Sequence, residues 1–263
     1  MRRRGDTGIY HRRSGGLSYG NRWGVVMLDF DSPFVPGDMG NASTYTTPAL
    51  FERVPDLSVD AILSDDDSAF ARRVIDAAVA LVNRGATAIT SNCGFMIRYQ
   101  AAVADALNGV PVVLSSLMQL PFIAATIPAG GRVGIVTASD RVLTSEFIGN
   151  TFPGLGERVL IAGLQDAPHF HATMFAGSDD LNADGIREEV VEAVHRLLGD
   201  APPYPTARNA PGAVHAVLLE CAALPAYAAA IQERVPGLPV YDFWTAAHSI
   251  DQAQNREPFL GFY

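Results

Sequence analysis

Lysine is missing from this chain, and all nineteen of its basic side chains are arginine. That absence excludes a pyridoxal phosphate Schiff base, lysine-type aldolase chemistry and a P-loop lysine. Cysteine is almost as scarce, with only Cys93 and Cys221. Two cysteines make no disulfide framework. The N-terminus, Met1 through Arg13, is basic but lacks the apolar segment of a secretory signal, so both thiols are expected to stay reduced in the cytoplasm. Residues 1–22 read as a basic flexible arm. Long apolar runs are also lacking: Ser115, Ser116, Gln119, Pro121 and Pro128 punctuate the longest candidate, and no membrane partner is expected. A net charge of -9 argues against a nucleic-acid partner, whose phosphates need a basic surface. Asn41-Ala42-Ser43 matches a glycosylation acceptor and carries no weight in a chain without an export signal.

What is present is a repeat. Thr87 to Gly94, continuing through Tyr99 to Val112, recurs at an offset of 128 residues, without a gap, as His215 to Ala222 continuing through Tyr227 to Val240. Ala88, Cys93, Tyr99, Gly109 and Pro111 each meet their own kind at Ala216, Cys221, Tyr227, Gly237 and Pro239. A period this long indicates a duplicated half rather than a solenoid. Two equivalent thiols in two equivalent halves suggest one site on a pseudo-twofold axis.

Short apolar runs alternate with stretches of helical period. Strands are expected at Trp23–Leu28, Ala86–Ser91, Val110–Ser115, Val133–Thr137 and Ala213–Glu220. Helices are expected at Ala69–Asn83, Ile97–Leu107, Asp184–Leu198 and Ala226–Arg234. Asp29 to Pro48 reads as a long loop, and so does the segment around Pro202-Pro203-Tyr204-Pro205. The acidic run from Ser64 to Asp67 suits a helix N-terminus better than a metal site. This alternation indicates α/β architecture with parallel sheets and helices on both faces. Lobe 1 is expected over 23–129 and lobe 2 over 130–242, with the tail 243–263 packing back on lobe 1.

Each cysteine follows a buried strand and precedes the turn into a helix, the edge at which open α/β sheets bind ligands. A thiol near a helix N-terminus can have its pKa lowered from about 8.5, which raises the thiolate fraction. Neighbouring N–H groups, among them those of Gly94 and Ala222, could hold a carboxylate. A lone cysteine is commonly a small buried hydrophobe, but two at equivalent strand ends point to chemistry. Neither has a Cys or His neighbour at zinc-ligand spacing, so no metal is expected. His169-Phe170-His171 is the best alternative metal pair and reads as a surface loop. Gly130-Gly131 precedes its strand and so makes no dinucleotide fingerprint.

Ser91-Asn92-Cys93-Gly94-Phe95 and Leu219-Glu220-Cys221-Ala222-Ala223-Leu224-Pro225 resemble the two cysteine motifs of the aspartate/glutamate racemase superfamily. Pro36 to Asn41, Leu114 to Leu117 and Gly163 to Asp166 support the likeness, which runs from Trp23 to the C-terminus. Asp29-Phe30-Asp31, Pro36-Gly37-Asp38, Cys93 to Met96, Gln165 to Pro168 and Leu218 to Cys221 also look like its algal dimethylsulfoniopropionate lyase branch. In that branch an acidic residue precedes the first cysteine, where this chain has Asn92. The resemblance implies two Rossmann-like lobes related by pseudo-twofold symmetry, a cleft with one cysteine on each wall, no cofactor, and a homo-oligomer.

The common step implied by the resemblance builds negative charge on the carbon beside a carboxyl group. Physically, a thiolate on one face can take a proton while a thiol on the other returns one. Asn92, Gly94, Ser116, Thr137, Ser139 and Ala222 are the candidate donors for an enediolate-like intermediate. The resemblance also implies an acidic substrate-binding residue at the end of the first strand, which is either Asp29 or Asp31. Glu220 is expected on the strand face away from Cys221. The sequence therefore predicts a cofactor-independent racemase or isomerase of a small carboxylate, with Cys93 and Cys221 as acid and base. The alternatives are a lyase eliminating a β leaving group with the same thiols, and a non-catalytic protein that binds a small carboxylate.

Overall fold

The computed structural model describes residue 20 and residues 22–64, 69–199 and 212–254. The acidic run 65–67, the proline-rich segment 202–205, most of the basic arm and the last nine residues lie outside them. Two four-stranded sheets carry the fold, and every pairing within them is parallel. The first has the order β2 (Ala49–Arg53), β1 (Trp23–Met27), β3 (Ala88–Ser91), β4 (Val112–Val113). The second repeats it as β6 (Val159–Gly163), β5 (Arg132–Thr137), β7 (Val214–Leu219), β8 (Val240–Tyr241).

The duplication survives at the level of register. Ile89 pairs with Val112, and Val217 with Val240, each 128 residues further on. The first strand pair of each half is displaced by 110 instead: Trp23 pairs with Ala49, and Val133 with Val159. Helix α3 (Gln100–Leu107) becomes α8 (Ala228–Arg234), its first residue also 128 further on. The turn after each helix is closed by a glycine at positive φ, Gly109 at 97° and Gly237 at 82°. Only glycine takes that conformation without a Cβ penalty.

The central strands are apolar on both faces, as parallel strands sandwiched by helices must be. Along β1, Trp23, Val25 and Met27 pack into one cluster while Val26 enters another. Along β7, Val217 and Leu219 face one way and Ala216 and Leu218 the other. One cluster crosses the lobes: Val26, Ile89, Phe95 and Leu117 share it with Ile135, Ile148 and Leu218. Helix α2 (Ala71–Asn83) buries Val74, Ala77, Ala78 and Leu81 on its inner face. After the second sheet, α9 (Phe243–Gln254) returns to the first: Phe243, Ala246 and Ala247 pack with Trp23, Val25 and Ala88, and Arg22 Nε lies 2.8 Å from Asp251 Oδ1.

Several elements differ from the sequence reading. The edge strands β2 and β6 were not expected; each covers one side of its sheet, and β2 ends in Glu52 and Arg53, so the apolar signal is weak. The helix expected at Ile97 begins earlier, as a 3₁₀ helix over Gly94–Tyr99 that runs into α3. His169 and His171 sit not on a loop but in helix α6 (Pro168–Met174), with Pro168 in the first turn, where its missing N–H costs nothing. Among the described residues, no helix is long and apolar enough to cross a membrane, and no group of three or more His, Cys, Asp or Glu is placed to hold a metal ion.

Candidate active site

Both cysteines follow the central strand β3 or β7 by two residues, at equivalent points of the two lobes. They are free thiols, and they line one cavity of about 60 Å³ between the lobes. The cavity is small beside ordinary ligand sites of ~300–1,000 Å³, so it favours a compact ligand. Its wall is mainly apolar, with Phe30, Phe34, Phe95, Phe170 and Phe175 supplying aromatic surface. Asp38 and Asn92 are its polar members apart from the thiols. Larger open grooves on the second lobe, beside Arg132 and Glu157 or Asp166 and Glu189, contain no thiol.

Asn92 and Glu220 do the same structural job in the two halves. The Asn92 N–H donates to the Val26 carbonyl, and the Glu220 N–H to the Val136 carbonyl. The Asn92 side-chain oxygen accepts from the Leu28 N–H at 2.8 Å. At the equivalent place, the Glu220 carboxylate accepts from the Ala138 N–H, and its Oε2 accepts from the Thr137 hydroxyl at 2.8 Å. Glu220 does not line the cavity, yet its charge bears on both thiols.

Burial dominates the electrostatics. It pushes the Cys93 thiol up to about 12, with the Glu220 charge adding to the rise, while the N–H groups of Phe95 and Met96 and the charge of Arg98 pull the other way. Burial also raises Cys221, again helped by Glu220; the Ala223 N–H opposes, and Cys93 and Asp38 add further to the rise. Glu220 rises to about 7 through burial, against its bonds from Thr137 and Ala138. Asp38 likewise rises to about 7 through burial, against a 2.6 Å bond from the Gly40 N–H.

The other residues singled out from sequence are placed as follows. Gly94 is buried directly against Glu220. The Ser116 hydroxyl donates to the Leu219 carbonyl at 2.8 Å, so it ties the lobes together instead of facing the cavity. Thr137 holds Glu220 and accepts from the Ser139 N–H at 3.4 Å. Ser139 and Ala222 are buried but do not line the cavity, whereas Ala138 and Ala223 do. The Ala222 carbonyl accepts from the Met39 N–H at 3.1 Å, across the lobes. Asp29 is turned away: Arg53 holds it at 3.1 Å, and it accepts from the Asp56 N–H at 2.8 Å. Asp31 is exposed and also paired with Arg53.

The acidic residue at the cavity is Asp38, which the strand-end argument passed over. Its signal was the Pro36-Gly37-Asp38 turn: Gly37 has φ of 100° and packs against the backbone of Ala226, which carries the loop across to the second lobe.

The contact at Gly94 leads to a prediction. A Cβ there would overlap both Glu220 Oε1 and the Glu220 carbonyl oxygen. Because one of those atoms is backbone, rotation of a side chain cannot relieve it. Gly94→Ala should cost roughly 1–3 kcal/mol or more, read as a lowered denaturation midpoint; wild-type stability would contradict this packing.

No protein-family model matches the chain. Solved structures match it over most of its length at low identity. Allantoin racemase from Pseudomonas fluorescens aligns with 91% of this chain and 100% of its own, at TM-score 0.53 and 16% identity. A variant of arylmalonate decarboxylase gives 0.54 and 14%, covering 90% and 94%. A glutamate racemase isoform from Bacillus anthracis gives 0.53 and 12%, covering 89% and 83%. This is the aspartate/glutamate racemase fold. By sequence, dimethylsulfoniopropionate lyase 6 of Emiliania huxleyi is 30% identical over 248 residues, 90% of this chain. A dimethylsulfoniopropionate lyase of Durusdinium sp. clade D is 27% identical over 230 residues, covering 83% of this chain and 70% of its own length. The chain spans 61% of the length of the first of these relatives.

Proposed function

We propose that this chain is a cofactor-independent enzyme that removes the proton α to the carboxylate of a small, positively charged acid, with Cys93 and Cys221 as its acid/base pair, and completes the reaction by β-elimination. The observation that carries this reading is one cavity holding both thiols, an acidic side chain and several phenylalanine rings. A cation is attracted by aromatic faces and by a carboxylate, and both are stronger partners where water is excluded. The sequence relatives named as dimethylsulfoniopropionate lyases support a sulfonium as that cation.

The chemistry follows from the residues. Asn92 has its amide oxygen committed to Leu28, which leaves its amide N–H₂ group to hold the substrate carboxylate. Asp38 and the rings hold the onium group. Cys93 is the better base, because Phe95, Met96 and Arg98 all favour its thiolate, whereas Cys221 also feels Asp38. The Cys93 sulfur takes the α proton, the C–H electron pair forms the Cα=Cβ bond, and the Cβ–S bond breaks. Sulfur leaves with the bonding pair as a neutral sulfide, alongside an α,β-unsaturated acid. A bound cation also offsets the cost of a buried thiolate, so the substrate assists the ionisation that attacks it.

Racemisation is the second reading, favoured by the symmetric placement of the two thiols. Deuterated water separates the two. Incubation with dimethylsulfoniopropionate should release sulfide and an unsaturated acid in equal amounts. Label gained at the α-carbon of recovered amino or hydroxy acids, with no alkene from any onium substrate, would replace elimination by racemisation.

A further inference from the structure

Glu220 is fully buried where the lobes meet, and only one of its oxygens is satisfied. Oε2 accepts from the Thr137 hydroxyl, but Oε1 has no hydrogen-bond partner. An ionised carboxylate with a bare buried oxygen is costly, and a proton on that oxygen removes most of the cost. The repeat sharpens the point: the equivalent position in the first half is Asn92, a neutral side chain that makes the same strand-end bond without a charge. The fold therefore requires only an acceptor at this place, and a titratable one has been put in the second half.

The charged and titratable groups around it are few. Cys93 approaches from the turn after β3, Cys221 is the next residue, and Asp38 and Arg98 act on Cys221 and Cys93 respectively. Gly94 packs against Oε1 without supplying a donor to it. Among the described residues no basic side chain is paired with Glu220, and its charge opposes the ionisation of both thiols.

We propose that Glu220 is a positioning residue for the thiol pair: its carboxyl is neutral whenever a thiolate forms, and its ionisation withholds the thiolate from both cysteines. The three groups then titrate as one coupled set. The thiolate accumulates with rising pH while Glu220 is neutral; as Glu220 charges, its repulsion holds the gain back by a fixed factor. The inference deepens the acid/base reading of the cysteines, but its test reads ionisation without turnover, so either can fail alone.

The rate of iodoacetamide addition to each cysteine, followed by peptide mass spectrometry from about pH 6 to about pH 9, tests it. In the wild-type protein the rate should climb, pause in a flattening about one pH unit wide above about 7, where Glu220 ionises, and then climb again. Glu220→Gln keeps the shape and removes the charge. Its curve should climb without the flattening, and by the alkaline end Cys93 should react roughly tenfold faster than in the wild type. The wild-type curve is informative even if the variant does not fold. A wild-type rate that rises straight through neutrality, or a folded variant whose curve superposes on it, would overturn the proposal.

Discussion

Replacing either Cys93 or Cys221 with alanine is expected to lower kcat by roughly 10²–10⁴ while leaving the fold intact. Each thiol stands on the wall of a cavity rather than inside a lobe's packed interior, so the substitution removes chemistry and little packing. The double variant should be scarcely slower than the worse single one, because groups that act as a unit are non-additive. Steady-state kinetics on the two singles and the double check this, with circular dichroism as the control for folding. The elimination reading adds a distinction: Cys93, as the base, should be indispensable, whereas Cys221→Ala should retain more activity when the leaving group departs as a neutral sulfide. Equal losses at both positions would favour the two-base racemase instead.

Much of the fold could be read from the residues, because the repeat is a physical constraint as well as a pattern. The ungapped match of Thr87–Val112 to His215–Val240 fixes the same strand, turn, helix and strand in both halves, and the observed register keeps it at Ile89 with Val112 and Val217 with Val240. The edge strands β2 and β6 were harder to see, since one side of each makes no sheet contact and neither is buried along its whole length. Their own offset of 110 also falls out of step with the cysteine repeat, which hides the equivalence of the two halves there.

At the site, the thiols were legible and their electrostatic surroundings were not. Strand alternation holds only while the chain remains a strand, so it could not say where Glu220 points once β7 had ended. Asp38 comes from a loop of the first lobe that reaches the second through Gly37 and Met39, so the Pro36-Gly37-Asp38 turn marked the residue while its place at the cavity depended on long-range contacts. Ser116 was expected to meet substrate and instead joins the lobes, because a buried hydroxyl must find an acceptor and the Leu219 carbonyl was within reach.

Asp38 and Glu220, two of the three buried carboxyls raised by burial, should make the protein less stable as pH rises towards neutrality, against the usual acid-labile trend. Asp38 moves from 3.8 to about 7 and Glu220 from 4.5 to about 7. For a carboxyl whose folded value is raised, the native state binds the proton more tightly than the unfolded chain. Its stabilisation is full below the unfolded value and is lost as pH climbs through the folded one. Integrated over these intervals, each group contributes about 3–4 kcal/mol at acid pH that is gone above neutrality. That is a large share of a typical stability of about 5–15 kcal/mol. The exposed pairs of Arg53 with Asp29 and Asp31 contribute too little to mask it. Urea midpoints should therefore fall between about pH 5 and about pH 8. Asp38→Asn and Glu220→Gln should each flatten part of that fall, with less than additive effect together, since both charges act on Cys221. Midpoints that hold steady or rise over this range in the wild-type protein would mean that neither carboxyl is protonated in the fold. The neutral Glu220 beside the thiols would then be absent.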